Sequence, residues 1–278
     1  MFPHPRQARR APPDRMPRNV MTQTQAIELN RLDKVLAADA RPAIACYFPI
    51  GDPQFDDRMR NAYWRGGADI LELGIPARNP FLDGPDVAGA MGRALASGAD
   101  IFGRLDDMMC WLAEDDSRPA GVAMAYVEAG LEPLLEPARL RMLDGALVLG
   151  EGLSERGNAF ASSNVRTCGF VSAALGEEEI AAALDAPGYV MLQAVSGATG
   201  PRASLDQDNR EKIARLRASG LTAPILLGFG ISTPDQARQA IDMGADGIVV
   251  GSMCVRMGMQ GADALEDFLG GIRAAVDA

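Results

Sequence analysis

Two carboxylate side chains lie where a strand and the loop after it could perform acid–base chemistry. The stretch ILELG at 70–74 is apolar except for Glu72, and Asp83 follows eleven residues later in a loop restricted by two prolines and a glycine. A carboxyl group in a water-poor site has its pKa raised towards neutrality, which suits a general acid or base. We therefore predict that Glu72 and Asp83 are a catalytic pair. The alternative is that Glu72 forms a structural ion pair and Asp83 is a turn residue.

A second chemical pattern is a set of glycines at two predicted strand ends. Gly228-Phe229-Gly230 follows one apolar run, and Gly251-Ser252 follows the next apolar run along the chain. Glycine lets backbone N–H groups approach an anion closely, and a helix that starts there favours negative charge. The pattern predicts a phosphate site, the alternative being tight turns only. The segment SGATG at 196–200 is predicted to be a loop that closes over such a ligand.

Residue types that are scarce in this sequence exclude several mechanisms. The only histidine is His4, and the only lysines are Lys34 and Lys212, each in a helix-like stretch. A Ser-His-Asp triad or a histidine-ligated metal therefore has no residues from which to be built, and a Schiff-base lysine is hard to place. Any catalysis should therefore rest on carboxylates, hydroxyls, backbone amides or a cofactor.

Composition narrows the class of protein and its compartment. The chain has 278 residues and a formal net charge of −10, although its first 20 residues hold five arginines. The acidic charge of the chain after its first 20 residues argues against nucleic-acid binding. No apolar run approaches the roughly 18 residues of a membrane helix, which argues against a membrane-spanning segment. The four cysteines lie far apart without a CxxC pair, which favours a reducing cytoplasm.

Strand-like and helix-like segments alternate along the whole chain after a tail, rich in proline and arginine, that is predicted to be disordered over residues 1–25. Eight such units predict a parallel sheet closed as a (β/α)8 TIM barrel, one α/β domain over residues 26–278. The predicted strands are Ala43–Phe48, Asp69–Leu73, Gly121–Tyr126, Ala146–Leu149, Thr167–Val171, Tyr189–Gln193, Ile225–Gly228 and Gly247–Val250. The predicted helices are Phe55–Arg65, Val87–Ala96, Leu105–Ala113, Glu177–Leu184, Asp208–Ala218, Pro234–Ile241 and Ala264–Val276. The fourth and fifth units carry the weakest pattern.

Five motifs in order resemble the α subunit of tryptophan synthase. They are GDP at 51–53, LELGIPARNPFLDGP at 71–85, SGATG at 196–200, GFGIS at 228–232 and GS at 251–252. The resemblance implies a TIM barrel that cleaves indole-3-glycerol phosphate by a retro-aldol reaction to indole and glyceraldehyde 3-phosphate. It also implies that the reaction needs no metal and no organic cofactor, and that a tryptophan synthase β subunit is a partner.

The resemblance further implies roles for ten residues. Glu72 matches the glutamate that moves protons between indole C3 and the glycerol hydroxyl, and Asp83 matches the aspartate that engages the indole N–H. Thr199 matches a threonine that orders this aspartate. The implied substrate pocket includes Tyr47, Tyr126 and Met191. The implied phosphate cradle consists of Gly200, Gly230, Gly251 and Ser252.

Departures from the family pattern leave other functions open. The loop stretch 77–80 reads ARNP, Met191 stands where the family has a tyrosine, and Glu128 replaces an asparagine. These changes fall on ring-facing and partner-facing positions. The alternatives are a divergent lyase that cleaves a related aryl glycerol phosphate, and a catalytically silent barrel that binds a phosphate ligand or a partner.

Overall fold

Eight parallel strands form a closed barrel in sequence order, β1 to β8, with β8 pairing back onto β1. The computed structural model describes residues 29–150, 160, 163–197, 199–200 and 205–278. The strands are β1 (Ala43–Pro49), β2 (Ile70–Gly74), β3 (Ala120–Tyr126), β4 (Gly145–Leu149), β5 (Arg166–Val171), β6 (Val190–Gln193), β7 (Ile225–Gly228) and β8 (Gly247–Val250). The predicted TIM barrel is confirmed, and each strand end lies within one residue of its predicted position.

Burial on both faces explains why these strands read as continuous apolar runs. Every residue of β1, β2 and β3 is buried, because one face fills the barrel and the other packs against helices. The closing pair places Gly247 opposite Ala43, where a Cβ on residue 247 would lie 2.4 Å from the Ala43 carbonyl oxygen. The barrel therefore closes through a glycine.

The described residues contain ten α-helices and two 3₁₀ turns. The helices are α1 (Arg31–Val35), α2 (Asp57–Arg65), α3 (Pro85–Ser97), α4 (Ile101–Ala113), α5 (Pro137–Leu140), α6 (Glu177–Leu184), α7 (Asn209–Ala218), α8 (Pro234–Asp242), α9 (Ser252–Gly258) and α10 (Ala262–Val276). The turns are Val127–Ala129 and Glu132–Leu135. Side-chain caps start several helices: Asp56, Asp100 and Thr233 accept hydrogen bonds from the first turns of α2, α4 and α8.

All seven predicted helices are present, and α1 lies in the helix-like stretch around Lys34, whereas α5, α9 and both 3₁₀ turns were not predicted. Each of these four elements spans only three to seven residues. Segments that short complete fewer than two helical turns, so they show no apolar periodicity that a sequence could reveal.

An ion-pair cluster ties the amino-terminal end of the barrel together. Asp69 accepts hydrogen bonds from Arg273 Nη1 at 2.8 Å, from Arg41 Nη2 at 2.7 Å and from the Ile44 backbone N–H at 2.9 Å. The cluster joins the start of β2 to β1 and to α10. It lies at the end of the barrel that is opposite the carboxyl ends of the strands.

Two predicted features fall outside the described residues. The tail of 1–25 lies outside the described residues, as does most of the connection between β4 and β5. Within the part of the chain that is described, no helix is both long enough and apolar enough to cross a membrane.

Candidate active site

A cavity opens at the carboxyl ends of the strands, with about 600 Å³ of empty space when its solvent-filled mouth is included. All ten residues predicted for the site contribute to its wall. Besides those ten, the wall includes Leu82, Val87, Met124, Leu149, Phe170, Phe229, Ile231, Val249 and Met253. The barrel therefore brings together segments that lie up to 206 positions apart in the chain, from Tyr47 to Met253.

Glu72 lies in the middle of β2 and points into the cavity. Its side chain is almost fully buried, and its Oε1 accepts a hydrogen bond from the Tyr189 hydroxyl at 2.5 Å. Burial raises the pKa of Glu72, the Tyr189 bond lowers it and the negative charge of Asp83 raises it, and together they bring it to about 7. Among the described residues Glu72 has no salt-bridge partner, so its burial is not offset by a cation.

Asp83 lies in the loop after β2, held by two hydroxyl groups. Its Oδ2 accepts a hydrogen bond from the Tyr126 hydroxyl at 2.7 Å, and its Oδ1 accepts one from Thr199 Oγ1 at 3.3 Å. Burial raises the pKa of Asp83 to about 6, although both hydrogen bonds lower it. Both carboxylates thus line one cavity with pKa values close to neutrality.

The loops after β2 and β6 interlock over this cavity. The Thr199 backbone N–H donates to the Leu82 carbonyl at 2.9 Å, and the Gly84 backbone N–H donates to Thr199 Oγ1 at 2.7 Å. A Cβ on residue 84 would lie only 1.8 Å from the Thr199 carbonyl oxygen. Gly84 is therefore required for the two loops to approach this closely.

Aromatic and thioether side chains form an apolar part of the wall of the cavity that Glu72 and Asp83 also line. The rings of Phe170 and Phe229 lie 5.9 Å apart, and Met191 and Tyr47 line the same cavity. Phe229 has a φ of +70°, a left-handed backbone conformation that is unusual outside glycine. Such strain is characteristic of functional sites, and here it fixes a ring in the cavity wall.

Small residues line the side of the cavity formed by the loops after β6, β7 and β8. Gly200, Gly230, Gly251 and Ser252 meet there. Ser252 Oγ is buried without a hydrogen-bond partner among the described residues. The described wall of the cavity includes no lysine or arginine, so an anion bound there would be held by backbone amides and hydroxyls.

Known proteins of one family match this chain along most of its length. The family pattern described as tryptophan synthase alpha chain matches residues 34–272. The tryptophan synthase alpha chain of Laribacter hongkongensis is 36% identical over 268 residues, which are 90% of this chain and 100% of that relative. The corresponding protein of Gloeobacter violaceus is 32% identical and covers 82% of this chain and 86% of its own.

This chain belongs to the tryptophan synthase alpha chain family. Solved structures agree on the fold. A chain of Mycobacterium tuberculosis tryptophan synthase, 25% identical, covers 90% of this chain and 98% of its own length with a TM-score of 0.75. Tryptophan synthase subunit alpha from Legionella pneumophila, 23% identical, covers 89% of this chain and 97% of its own with a TM-score of 0.73, which shows the fold alone.

Sequence reasoning missed several side chains that the barrel of this family member brings to the site. Tyr189, which donates to Glu72, is the most important of them. The signal was available, because Tyr189 lies two positions before Met191, and alternate residues of a strand share a face. Phe229 lies within the GFG motif, but a sequence gives no indication that its ring would line the cavity.

Metal and cofactor use remain predictions from the sequence. Within the described ranges, no group of three or more His, Cys, Asp or Glu side chains is placed to hold a metal ion. In the described cavity wall the ionisable groups are carboxylates and tyrosine hydroxyls, and none of them is a basic side chain.

Proposed function

We propose that this member of the tryptophan synthase alpha chain family cleaves indole-3-glycerol phosphate to indole and glyceraldehyde 3-phosphate. The bond between indole C3 and the adjacent glycerol carbon breaks. The hydroxyl on that carbon loses its proton and becomes the aldehyde, while C3 gains a proton. The reaction is a net proton transfer with fragmentation, so it needs no oxidant, reductant or other co-reactant.

Glu72 is suited to carry both proton transfers. A carboxyl group with a pKa of about 7 is protonated often enough to deliver a proton to C3 and basic enough to accept one from the hydroxyl. Its position in β2, bonded to Tyr189, holds it rigidly in the cavity. In this proposal the proton lost to C3 is replaced by the proton of the glycerol hydroxyl.

Asp83 is suited to stabilise the ring while C3 is protonated. Protonation at C3 places positive charge on the ring nitrogen, and an ionised carboxylate beside the N–H lowers the energy of that state. With a pKa of about 6, Asp83 is ionised at a pH where Glu72, with a pKa of about 7, is still largely protonated. Unequal pKa values of this kind assign the acid role to one carboxyl group and the anionic role to the other.

The phosphate group is proposed to bind at the loops after β7 and β8. Loops after the last two strands of such barrels commonly bind phosphate through backbone N–H groups. Gly230, Gly251 and Ser252 lie there, and the unpartnered Ser252 Oγ is a donor with no other described use. The apolar side chains of the cavity wall suit an aromatic ring.

The observation that carries this proposal is the presence of both carboxylates, with pKa values of about 7 and about 6, in one apolar cavity. The test is indole release from indole-3-glycerol phosphate by the purified chain. Glu72→Gln and Asp83→Asn should each lower kcat at least about a hundredfold, the lower end for acid–base catalysis. Glu211→Gln, which makes the same change at an exposed carboxylate of α7, outside the cavity wall, should retain wild-type activity.

An unchanged rate in Glu72→Gln, with thermal unfolding equal to that of the wild type, would contradict the catalytic assignment. Release of a different aryl product from a ring-substituted analogue, with no indole from the parent compound, would instead favour the divergent lyase. Binding of the phosphate ester without any turnover would favour the silent barrel.

A second subunit is the proposed partner, and the cytoplasm is the proposed compartment. The loop after β2 exposes Arg78, Asn79 and Phe81 beside the cavity, at the position that borders the β subunit in the resemblance. All four cysteines are free, as expected in a reducing compartment. Adding a tryptophan synthase β subunit should raise the rate of indole release and yield a complex in size-exclusion chromatography.

A further inference from the structure

Gln193, the last residue of β6, is one of the few buried polar side chains of the described chain that the proposed reaction does not use. It is only 5% exposed. Its Oε1 accepts a hydrogen bond from the Ala173 backbone N–H at 3.0 Å, and its Nε2 donates to the Gly197 carbonyl at 2.8 Å. One carboxamide therefore joins the loop after β5 to the loop after β6. A side chain without donor and acceptor could fill this space but not make the connection.

The loop after β6 is anchored at three successive points. The Ala194 N–H donates to the Gly228 carbonyl at 2.8 Å, which extends the pairing of β6 with β7. Gly197 is held by Gln193, and Thr199 is held by Leu82 across the mouth. Gly197 has a φ of +101°, so the chain turns sharply at the residue whose carbonyl Gln193 fixes.

The anchor at Gly197 affects the anchor at Thr199, because the two residues are close in the chain. Only one residue separates Gly197 from Thr199, and consecutive Cα atoms are about 3.8 Å apart, so the position of residue 197 limits where Thr199 can lie. Thr199 in turn contacts Asp83 at 3.3 Å and accepts from the Gly84 N–H at 2.7 Å. A shift of the Gly197 carbonyl would therefore separate Thr199 from Asp83.

We propose that Gln193 is a positioning residue that places Thr199 against Asp83 by fixing the Gly197 carbonyl. The assignment rests on the proposed lyase function for its kinetic consequence but not for its structural one. Gln193 touches neither carboxylate, so it acts on the reaction only through the loop after β6. Without it, the half-buried Ala173 N–H and the carbonyl of the exposed Gly197 lose their described partner, and nothing in the described chain then fixes the Gly197 carbonyl against the end of β6.

A double-mutant cycle tests whether Gln193 acts through Thr199. Gln193→Leu should lower kcat for indole release about tenfold, with KM changed little, because the misplaced group acts on charge that develops in the transition state. In a Thr199→Val background the same substitution should lower kcat less than about twofold, since its target is already absent. An equal tenfold loss in both backgrounds, or no loss in the wild-type background, would overturn the proposal.

Amide hydrogen exchange supplies a readout that does not depend on turnover. Gln193→Leu should accelerate exchange at Thr199 and also at Gly84, whose N–H is bonded to Thr199 and not to Gln193. Faster exchange confined to Ala173 would contradict the assignment. If no variant and not even the wild type releases indole, the lyase proposal fails, whereas the exchange pattern still decides the role of Gln193.

Gln260→Leu is the matched control. It removes the same carboxamide from an exposed position, where the amide lies 3.8 Å from Met257 Sδ. Both kcat and the exchange of the two loops should equal those of the wild type.

Discussion

At the scale of single residues, the site depends on how two tyrosine hydroxyls hold two carboxylates. Tyr189 donates to Glu72, and Tyr126 donates to Asp83. Each bond stabilises the ionised carboxylate and so opposes the effect of burial on its pKa. Two tyrosines in equivalent roles therefore control the two protonation states that the proposed reaction requires.

The pH dependence of activity should reveal this control. The active form has Asp83 ionised and Glu72 protonated. A plot of kcat/KM against pH should therefore be bell-shaped, with its acid limb near pH 6 and its basic limb near pH 7. Tyr189→Phe removes a bond that favours ionised Glu72, which raises the pKa of Glu72 and moves the basic limb upward. Tyr126→Phe raises the pKa of Asp83 in the same way and moves the acid limb upward.

The two substitutions should therefore have opposite effects on the width of the bell-shaped pH profile of kcat/KM. Tyr189→Phe should broaden it and Tyr126→Phe should narrow it, as measured from kcat/KM between pH 5 and pH 9. Movement of the same limb in both variants would show that the roles of the two carboxylates are assigned wrongly.

At the scale of elements, the loops after β2 and β6 must fit together for Asp83 and Thr199 to meet. The loop after β2 has no side chain at Gly84, and the backbone of Thr199 occupies the space that a Cβ would need. The hydrogen bonds of Leu82 and Gly84 to Thr199 then hold the loops in register. The fit between two loops, rather than either loop alone, forms this part of the cavity wall.

Gly84→Ala should therefore separate the loops. A Cβ at 1.8 Å from the Thr199 carbonyl oxygen forces one loop to move, and we expect kcat/KM to fall about a hundredfold, as for a comparable misplacement of a catalytic group. Gly92→Ala is the matched control, because a Cβ at Gly92 meets no atom within 4 Å. It should leave kcat/KM unchanged and stabilise α3 by about 0.5–1 kcal/mol. Similar kinetics for the two variants would argue against interlocked loops.

At the scale of the whole molecule, stability and chemistry occupy opposite ends of the barrel. The cavity lies at the carboxyl ends of the strands, whereas Asp69 and Arg273 form their cluster at the amino ends. Barrels of this kind commonly separate the two functions in this way. Changes at one end should therefore affect unfolding without affecting turnover.

Asp69→Asn tests the separation. Asp69 pairs with Arg41 and Arg273 and also accepts from the Ile44 N–H, and its side chain is 13% exposed. Loss of its charge should lower the free energy of unfolding by about 3 kcal/mol, as expected for breaking a largely buried pair. Asp57→Asn, in an exposed pair with Arg60, should change it by less than about 1 kcal/mol. Urea titration measures both, and a loss of kcat in Asp69→Asn would contradict the separation.

The architecture could be predicted from the sequence. Strands buried on both faces leave continuous apolar runs, and helices of eight or more residues repeat their apolar residues with the helical period. The sequence also predicted Glu72, Asp83 and the glycines of the last loops as site residues, because an acid in an apolar strand and glycines at strand ends are local anomalies.

The contacts of these residues follow from the folding of the chain. The hydrogen bond from Tyr189 to Glu72 spans 117 positions, and that from Thr199 to Asp83 spans 116. Closure of the barrel makes such neighbours, and no local pattern encodes them. The pKa values of about 7 and about 6 have the same origin, because burial by distant segments sets the energy of each charged carboxylate.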